Sequence, residues 1–436
     1  MMDLAEVRLW GRRIGAVSQA EDEDVARFQY DPEFAGSGIE VAPLTMPLAR
    51  APYSFPGLSR ESFHGLPGLL ADSLPDKFGN ALIDAWLARQ GRTPAEFRAV
   101  ERLCYVGTRG MGALEFQPAI GPDPAQADEF HVNVLADLAA QILSERRGLH
   151  VVLESGSEDE ALTELLRVGA SAGGARAKAL IAWNPDTNEV RSGQVEAGSG
   201  FEYWILKFDG VSRPDDEELA DPQGYGAIEY AYARMAAAAG IEMMDCRLFE
   251  EAGRRHFMTR RFDRTSDGKK RHMLSLAGLA HLDFNQAGAH GYEQALLIIR
   301  QLGLGMDAIE QQVRRMVFNV VARNQDDHVK NIAFLMDRAG NWTLSPAFDV
   351  TYAYNPSGEW TSRHQMTING KRDGFTLADF EAVGRSASMK RGCWETIYEQ
   401  VRDAARRWPE FAAEAGVDAA RIEAVRRVLR LELPRE

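Results

Sequence analysis

The chain has 436 residues, and its 50 Lys and Arg against 64 Asp and Glu give a formal net charge of −14 at pH 7. This acidic balance argues against a protein that binds nucleic acid with its whole surface, although it leaves room for a local basic patch. Apolar residues make up 45% and charged residues 26%, as in ordinary soluble globular proteins. The length predicts about two or three domains.

The sequence indicates neither a membrane anchor nor an export signal. No run of apolar residues approaches the about 18 that a membrane-spanning helix requires, and the segment MMDLAEVRLWGRRIG lacks an apolar signal core. The three cysteines, Cys104, Cys246 and Cys393, are far apart and odd in number, which argues against a disulfide framework or a zinc site. We therefore predict a cytoplasmic protein that makes no contact with a membrane.

Residues 1–118 are predicted to form an N-terminal subdomain of mixed α and β structure. Alternating apolar and polar residues predict strands over 8–16 and 38–44. A helix is predicted near 78–90, and GALEFQP predicts a closing strand. The Pro- and Asp-rich stretch GPDPAQADEF, residues 121–130, predicts a linker to the next unit.

Residues 119–262 are predicted to form a second unit of mixed structure. Its helices are predicted over 131–147, 157–168 and 227–239, and the last of these ends at Gly240, where a C-terminal cap is favoured. Apolar and aromatic runs predict four strands, over residues 179–183, 201–208, 246–250 and 256–261.

Residues 263–436 are predicted to be mainly helical. One helix carries an apolar stripe at the spacing of a core-facing helix, made of Ile309, Val313, Met316, Val317, Val320 and Val321. The polar stretch ARNQDDHVKN follows it, and IAFLM and WTLSP around DRAGN then predict a β-hairpin. This arrangement is expected to hold polar side chains rigidly at a cleft.

The polar stretch contains a spacing that phosphotransferases of the kinase type use. Asp326 precedes Asn331 by five residues, and Asp349 follows in FDV after the predicted hairpin. In kinases an Asp accepts the proton of the substrate hydroxyl, while an Asn five residues later and a further Asp hold Mg²⁺. Amide and carboxylate oxygens are ligands that suit this hard cation.

Donors for phosphate groups occur earlier in the chain. The loop SAGGARAK places Gly173 and Gly174 where backbone can approach a phosphate, and Lys178 ends it. Lys207 interrupts the apolar strand WILKF, and Glu229 on the next helix is expected to pair with its ammonium group. Kinases have these parts in a fixed order along the chain. This sequence has the same order: the Gly-rich loop, Lys207, Glu229, the Asp326…Asn331 pair and Asp349.

Each feature also has a simpler interpretation. The Gly-rich loop alone is weak support for phosphate binding, Lys207 alone fits a lysine that extends to solvent, and Glu229 alone fits an exposed helix residue. The DDH triplet fits a turn or a transition-metal site, and His328 alone fits a packed histidine. The order and spacing of Asp326, Asn331 and Asp349 favour the kinase interpretation.

These motifs resemble the HipA family of serine/threonine kinases, the toxin components of bacterial toxin–antitoxin pairs. NQDDHVKNIAFL and LSPAFDV are similar to the most specific family signature, and SAGGARAK, WILKF, IEYAYARMAAAAGI, TRRFDR and LCYVGTRGMGALEFQP resemble other family segments. The resemblance covers nearly the whole chain. It implies an α+β, two-lobed kinase-like fold, with a mixed N-terminal lobe, an extra N-terminal subdomain and an all-helical C-terminal lobe.

The resemblance also implies site residues. Asp326 would be the catalytic base, and Asn331 and Asp349 would bind Mg²⁺. The implied ATP-binding residues cover the phosphates, the adenine and the catalytic loop; they are Gly173, Gly174, Ala175, Arg176, Ala177, Lys178, Lys207, Arg260, Arg261, Phe262, His328, Val329, Lys330 and Phe348. Many family members have an acidic residue at the position of Arg260, so its adenine contact is expected from the backbone.

The activity that the resemblance implies is Mg²⁺-ATP-dependent phosphorylation of protein hydroxyls, with aminoacyl-tRNA synthetases among the targets and growth arrest as the result. Family members also phosphorylate a serine ahead of the Gly-rich loop, and Ser171 occupies that position. A phosphate there would oppose ATP by its charge. A serine that bonds to its own loop is the alternative interpretation.

Two other functions stay open on the sequence alone. The family pairs with a helix-turn-helix antitoxin of the HipB type on operator DNA, so the chain could act mainly as a co-repressor. Its −14 charge suits a basic partner, and NGKRDG, residues 369–374, could add phosphate contacts within such a complex. A small-molecule phosphotransferase of the aminoglycoside type shares the Asp…Asn arrangement.

Overall fold

The computed structural model describes residues 3–122, 131–144, 165–166, 168–169, 176–211 and 224–436. Most of the predicted linker over 121–130 and most of the predicted helix over 157–168 lie outside these ranges. So do Ser171, Gly173, Gly174 and Ala175 of the Gly-rich loop.

The N-terminal subdomain is built on a four-stranded antiparallel sheet of order β3-β2-β1-β4. Its strands are β1 Leu4–Leu9, β2 Arg12–Ser18, β3 Arg27–Tyr30 and β4 Leu114–Gln117. Its helices are α1 Arg60–Phe63, α2 Gly68–Ala71, α3 Lys77–Arg89 and α4 Ala99–Val106. The predicted helix near 78–90 and the closing strand are confirmed.

Two strand predictions in this subdomain need correction. The segment 8–16 is a hairpin rather than one strand, because Trp10 and Gly11 both adopt positive φ, 52° and 79°, and reverse the chain. Residues 38–44 form bends and turns instead of a strand. The alternation there reflects burial of Val41 without sheet pairing.

A second antiparallel sheet, of order β6-β5-β7-β9-β8, follows. Its strands are β5 Lys178–Trp183, β6 Val190–Ser192, β7 Glu202–Lys207, β8 Cys246–Glu251 and β9 Arg254–Arg260. Helices α5 Val132–Ser144 and α6 Tyr225–Ala238 accompany it. Every residue of β5 is buried, which explains its continuous apolar run.

The rest of the chain is mainly helical. Its helices are α7 Leu276–Ala280, α8 Tyr292–Gln301, α9 Met306–Val321, α10 Leu377–Ser386, α11 Cys393–Arg406, α12 Trp408–Glu414 and α13 Ala419–Val428. A three-stranded sheet lies among them, made of β10 His272–Ser275, β11 Ala333–Met336 and β12 Trp342–Leu344. The α+β class and the hairpin β11–β12 are confirmed, whereas the all-helical C-terminal lobe is wrong because β10 pairs with β11. The two-lobed arrangement stays a prediction.

Two apolar cores hold these elements. The larger joins the N-terminal sheet to the C-terminal helices, and the second lies against the five-stranded sheet. The predicted stripe on α9 is confirmed, since each of its six apolar side chains is at most 1% exposed. None of the helices in the described ranges combines the length and the apolar character that crossing a membrane requires.

Neighbouring leucines on α8 test the placement of the larger core. Leu296 is 3% exposed and Leu297 is 55% exposed. We expect Leu296→Ala to lower the free energy of unfolding by about 2–5 kcal/mol, because it leaves a cavity. The matched change Leu297→Ala is expected to alter it by no more than about 0.5 kcal/mol. Urea unfolding of both variants measures the difference, and equal losses would show that α8 packs through another face.

Candidate active site

A cleft of about 1170 Å³, open solvent included, lies beside β7, β9 and the loop that follows α9. The N-terminal subdomain, the five-stranded sheet and the C-terminal region all contribute to its walls. Ten residues singled out from the sequence line it: Lys178, Lys207, Glu229, Arg260, Phe262, His328, Lys330, Asn331, Phe348 and Asp349. Residues separated by up to 171 positions are thus gathered in one hollow.

The Lys207 ammonium group bridges two carboxylates in this cleft. Nζ donates a hydrogen bond to Glu229 Oε1 at 2.5 Å and another to Asp349 Oδ1. Lys207 ends β7, Glu229 lies on α6, and Asp349 follows β12, so three separate elements meet at this group. The Lys207 and Glu229 side chains are almost fully buried, and an ammonium group in such a place needs charged partners.

Neighbouring charges keep Lys207 and Asp349 ionised. Burial by itself lowers the pKa of Lys207, but Asp349 and Glu229 outweigh it and raise that pKa above its ordinary value. Burial by itself raises the pKa of Asp349, but Lys207 and Lys178 outweigh it and lower that pKa to about 2. At neutral pH the cleft therefore contains a charged lysine and a charged aspartate.

Two further cations lie next to this bridge. Arg176 donates from Nη1 to Glu229 Oε2 at 2.5 Å and stacks its guanidinium on the Tyr225 ring, 4.9 Å from the centroid. Lys178 faces Lys207 across the β5–β7 pairing. Burial, together with the Lys207 charge and against Asp349, lowers the pKa of Lys178 to about 8. The cleft thus collects positive charge at one end.

The loop after α9 is held by its second aspartate. The Asp327 carboxylate is 3% exposed and accepts hydrogen bonds from Tyr292 Oη at 2.7 Å, His364 Nδ1 at 2.9 Å and the Gln365 backbone N at 2.7 Å. Burial by itself raises the pKa of Asp327, but His364 and these hydrogen bonds outweigh it and lower that pKa. Asp327 therefore anchors the loop, and its neighbour Asp326 keeps a side chain that is 43% exposed.

Two oxygen donors of the kind that Mg²⁺ prefers line the cleft. Asn331 donates from Nδ2 to the Asp326 backbone carbonyl at 2.8 Å, which turns its Oδ1 the other way. Asp349 has a φ of 52°, a left-handed conformation that Asp adopts more readily than most residues and that is frequent at functional sites. The described residues contain no group of three or more His, Cys, Asp or Glu that could hold a metal. An amide and a carboxylate fit Mg²⁺ when phosphate oxygens and water supply the other ligands.

The other end of the cleft is apolar. The Phe262 and Phe348 rings lie 5.5 Å apart at 48° to one another. Met111 and Ile205 also line the cleft, and so does Phe257, whose ring centroid lies 5.9 Å from Lys207 Nζ. Arg260 lies at the edge of the cleft, with its guanidinium 3.5 Å from Glu202 and 3.6 Å from Asp245. A flat apolar ring would find a matching surface here, next to the cationic end.

Some residues singled out from the sequence lie elsewhere. Ala177 and Val329 are each 1% exposed and pack inward, so neither lines the cleft. Arg261 points away from it, because its guanidinium forms a buried ion pair with Asp263. Contacts of these three residues with a nucleotide stay predictions. Asp326 also lies outside the lining of the cleft, on an open flank of the loop.

The N-terminal subdomain contributes residues that sequence reasoning missed. Asp72, Ser73 and Asp76 line the cleft, and Asp76 Oδ1 accepts a hydrogen bond from Lys330 Nζ at 2.6 Å. Burial by itself lowers the pKa of Lys330, but Asp76 and Asp72 outweigh it and raise that pKa. Partners 254 positions apart leave no signal in a single sequence.

Two family models match this chain. The HipA N-terminal domain matches residues 5–117, and the HipA-like C-terminal domain matches residues 170–408, more than half of the chain. The chain belongs to the HipA family. No curated protein matches this HipA-family chain.

Two solved structures were matched to this HipA-family protein. A chain of the Shewanella oneidensis MR-1 toxin–antitoxin complex of HipA, HipB and operator DNA matches it with a TM-score of 0.66 and 17% identity, over 97% of this chain and 94% of that chain. The Helicobacter pylori proinflammatory kinase CtkA matches with a TM-score of 0.31 and 12% identity, over 49% and 90%. The first of these likenesses shows a shared fold.

The Lys178 ammonium group gives the HipA-family protein a specific dependence of stability on pH. Because the folded pKa is about 8 and the ordinary value is 10.5, the unfolded chain binds more protons between these values. The free energy of unfolding of the wild-type chain minus that of Lys178→Met is therefore expected to rise by up to about 3 kcal/mol as the pH increases from about 8 to 10.5. Urea unfolding at intervals of pH measures it. Lys269→Met, at a lysine whose side chain is 66% exposed, is the matched control for the loss of a lysine; a flat difference for Lys178→Met would contradict the burial.

Proposed function

We propose that this chain is an ATP-dependent serine/threonine protein kinase. The observation that carries the proposal is the Lys207 ammonium group, held between Glu229 and Asp349 in a cleft that Asn331 also lines. The lysine–glutamate pair and the metal-binding aspartate are parts that kinases require together. Family membership supports the same conclusion.

The cleft suits a nucleotide. Lys207 and Lys178 would hold phosphate oxygens at the cationic end, and the surface around Phe262 and Phe348 would receive the adenine at the other end. The loop with Gly173 and Gly174, together with Ala175, would cover the phosphates. Burial, together with the Lys207 charge, lowers the pKa of Lys178 to about 8, and a bound anionic phosphate chain would favour the charged form of this lysine.

Asn331 and Asp349 would hold Mg²⁺. When bound, this cation would neutralise part of the negative charge of the phosphates. Asp349 stays ionised for this purpose, because Lys207 and Lys178 outweigh its burial and lower its pKa to about 2. Asp326 would orient the acceptor hydroxyl and take its proton. His328 and Lys330, which line the cleft beside Asn331, would contact the nucleotide.

The position of Asp326 favours a protein acceptor over a small molecule. Its side chain is 43% exposed and lies outside the lining of the cleft, so an acceptor reaches it from the open surface. A small-molecule phosphotransferase would enclose its substrate in a pocket. An aminoacyl-tRNA synthetase, whose phosphorylation arrests growth, is the target class that the family resemblance implies.

We also propose a HipB-like helix-turn-helix antitoxin as a partner. The solved Shewanella oneidensis complex contains HipA, HipB and operator DNA. The −14 net charge of this chain suits a basic partner. Operator DNA would be reached through the antitoxin; within the NGKRDG segment, Lys371 pairs with Asp379 at 2.9 Å.

Incubation with Mg²⁺-ATP tests the kinase proposal. We expect intact-mass spectrometry to show increments of about 80 Da per phosphoryl group on the chain or on an added protein acceptor. Asp326→Gln and Lys207→Met should each slow incorporation by about 100-fold or more, since they remove the base and the phosphate-binding cation. Phosphorylation of an aminoglycoside in place of protein would instead identify a small-molecule enzyme.

Matched controls use exposed residues of the same type. Asp403→Gln changes an aspartate whose side chain is 64% exposed, and Lys269→Met changes a lysine that is 66% exposed; both should keep the wild-type rate. Incorporation that survives Asp326→Gln would show that another group is the base. Ser171→Ala should remove one increment if this serine is the site of self-phosphorylation.

The partner proposal has a separate test. A candidate helix-turn-helix antitoxin is mixed with its operator DNA and with either the wild-type chain or Asp326→Gln. We expect the wild-type chain and Asp326→Gln to lower the gel mobility of the antitoxin–DNA complex equally. Binding to the antitoxin does not require Asp326 as a base. The chain without antitoxin should leave the DNA unshifted, and a direct shift would contradict binding through the antitoxin.

A further inference from the structure

Residues 360–365 lie between Asp349 and α10 along the chain. Hydrogen bonds join this segment to the loop that follows α9. Gln325 Nε2 donates to the Thr361 carbonyl at 3.2 Å, and the Gln365 backbone N donates to Asp327 Oδ1 at 2.7 Å. Gln325, Asp327 and Gln365 are each at most 3% exposed, so water does not compete for these contacts. The segment therefore has a defined position relative to the loop.

Trp360 opens this segment and contacts Asp326 directly. Its indole Nε1 donates a hydrogen bond to Asp326 Oδ1 at 2.9 Å, while its own backbone carbonyl accepts one from Gln365 Nε2. On the other side, Asn331 Nδ2 holds the Asp326 backbone carbonyl at 2.8 Å. Both the backbone and the carboxylate of Asp326 are thus held in place.

The chemistry of this contact suits a positioning role. An indole N–H is a donor only and cannot accept a proton, so it holds a carboxylate without competing as a base. It engages Oδ1, and the Asp326 side chain remains 43% exposed for an acceptor hydroxyl. Trp360 is itself partly buried, and its rigid ring adds apolar surface beside the carboxylate.

We infer that Trp360 is a positioning residue of the phosphoryl-transfer site. The inference rests on the proposed kinase function. Trp360 acts through Asp326: it fixes the rotation of the carboxylate so that Oδ2 faces the acceptor hydroxyl. A rate that depends on this geometry is sensitive to displacements of about 1 Å.

Trp360→Phe tests the inference, because it keeps an aromatic ring and removes the N–H donor. At saturating Mg²⁺-ATP we expect phosphoryl incorporation to slow by about 10- to 100-fold. The dissociation constant of a fluorescent ATP analogue should change by less than about 2-fold, since Trp360 does not line the nucleotide cleft. Trp394→Phe, at another partly buried tryptophan, is the matched control and should change neither value. An unchanged rate, or an equal loss of nucleotide affinity, overturns the inference.

A double variant separates positioning from a general loss of structure. In the Asp326→Gln background, Trp360→Phe should slow the residual reaction no further, because the group through which it acts is already gone. A full additional loss overturns the inference. If wild type incorporates phosphate and Trp360→Phe matches it, the Trp360 role alone fails. If wild type binds the analogue but phosphorylates nothing, the proposed function fails and the Trp360 role with it.

Discussion

The buried ammonium group of Lys207 is the interaction on which the rest of the structure depends. Such a group costs several kcal/mol in a protein interior unless charged partners meet it. Its partners, Glu229 and Asp349, come from α6 and from the segment after β12. The five-stranded sheet, the helix behind it and the C-terminal region must therefore keep fixed positions, and the two apolar cores provide that rigidity.

Several basic side chains lie close together beside the cleft. Lys178 lies opposite Lys207 across two paired strands, and Arg176 shares Glu229 with Lys207. Burial and the neighbouring lysine together lower the pKa of Lys178 to about 8, which is a cost that the free protein bears. An anionic group beside Lys178 would offset this cost.

Parts of the site that depend on short-range spacing could be predicted from the sequence. The apolar stripe of α9, the hairpin β11–β12 and the clustering of Asn331 with Asp349 follow from local patterns that one chain displays by itself. The Lys207–Glu229 pair could be anticipated, since a lysine in an apolar strand requires a partner. The buried ion pair of Arg261 with Asp263, two positions further on, was not anticipated.

Contacts between distant segments could not be predicted. Nothing in the sequence around Asp76 marks it as a partner of Lys330, and Trp360 lies in an irregular stretch without periodicity. Such contacts depend on how the units pack, which is a property of the complete fold. The segment 38–44 shows the converse error, because alternation of apolar residues arises from burial in turns as well as from strands.

The pairing of Asp76 with Lys330 bears on how far the protein can be dissected. The larger core joins the N-terminal sheet to the C-terminal helices, and the N-terminal subdomain supplies the carboxylate that pairs with Lys330 in the loop after α9. A shortened chain that begins after the first subdomain would expose apolar surface and leave that lysine uncompensated. Residues 170–408, which a separate family model matches, therefore depend on the first subdomain for part of their core and for the partner of Lys330.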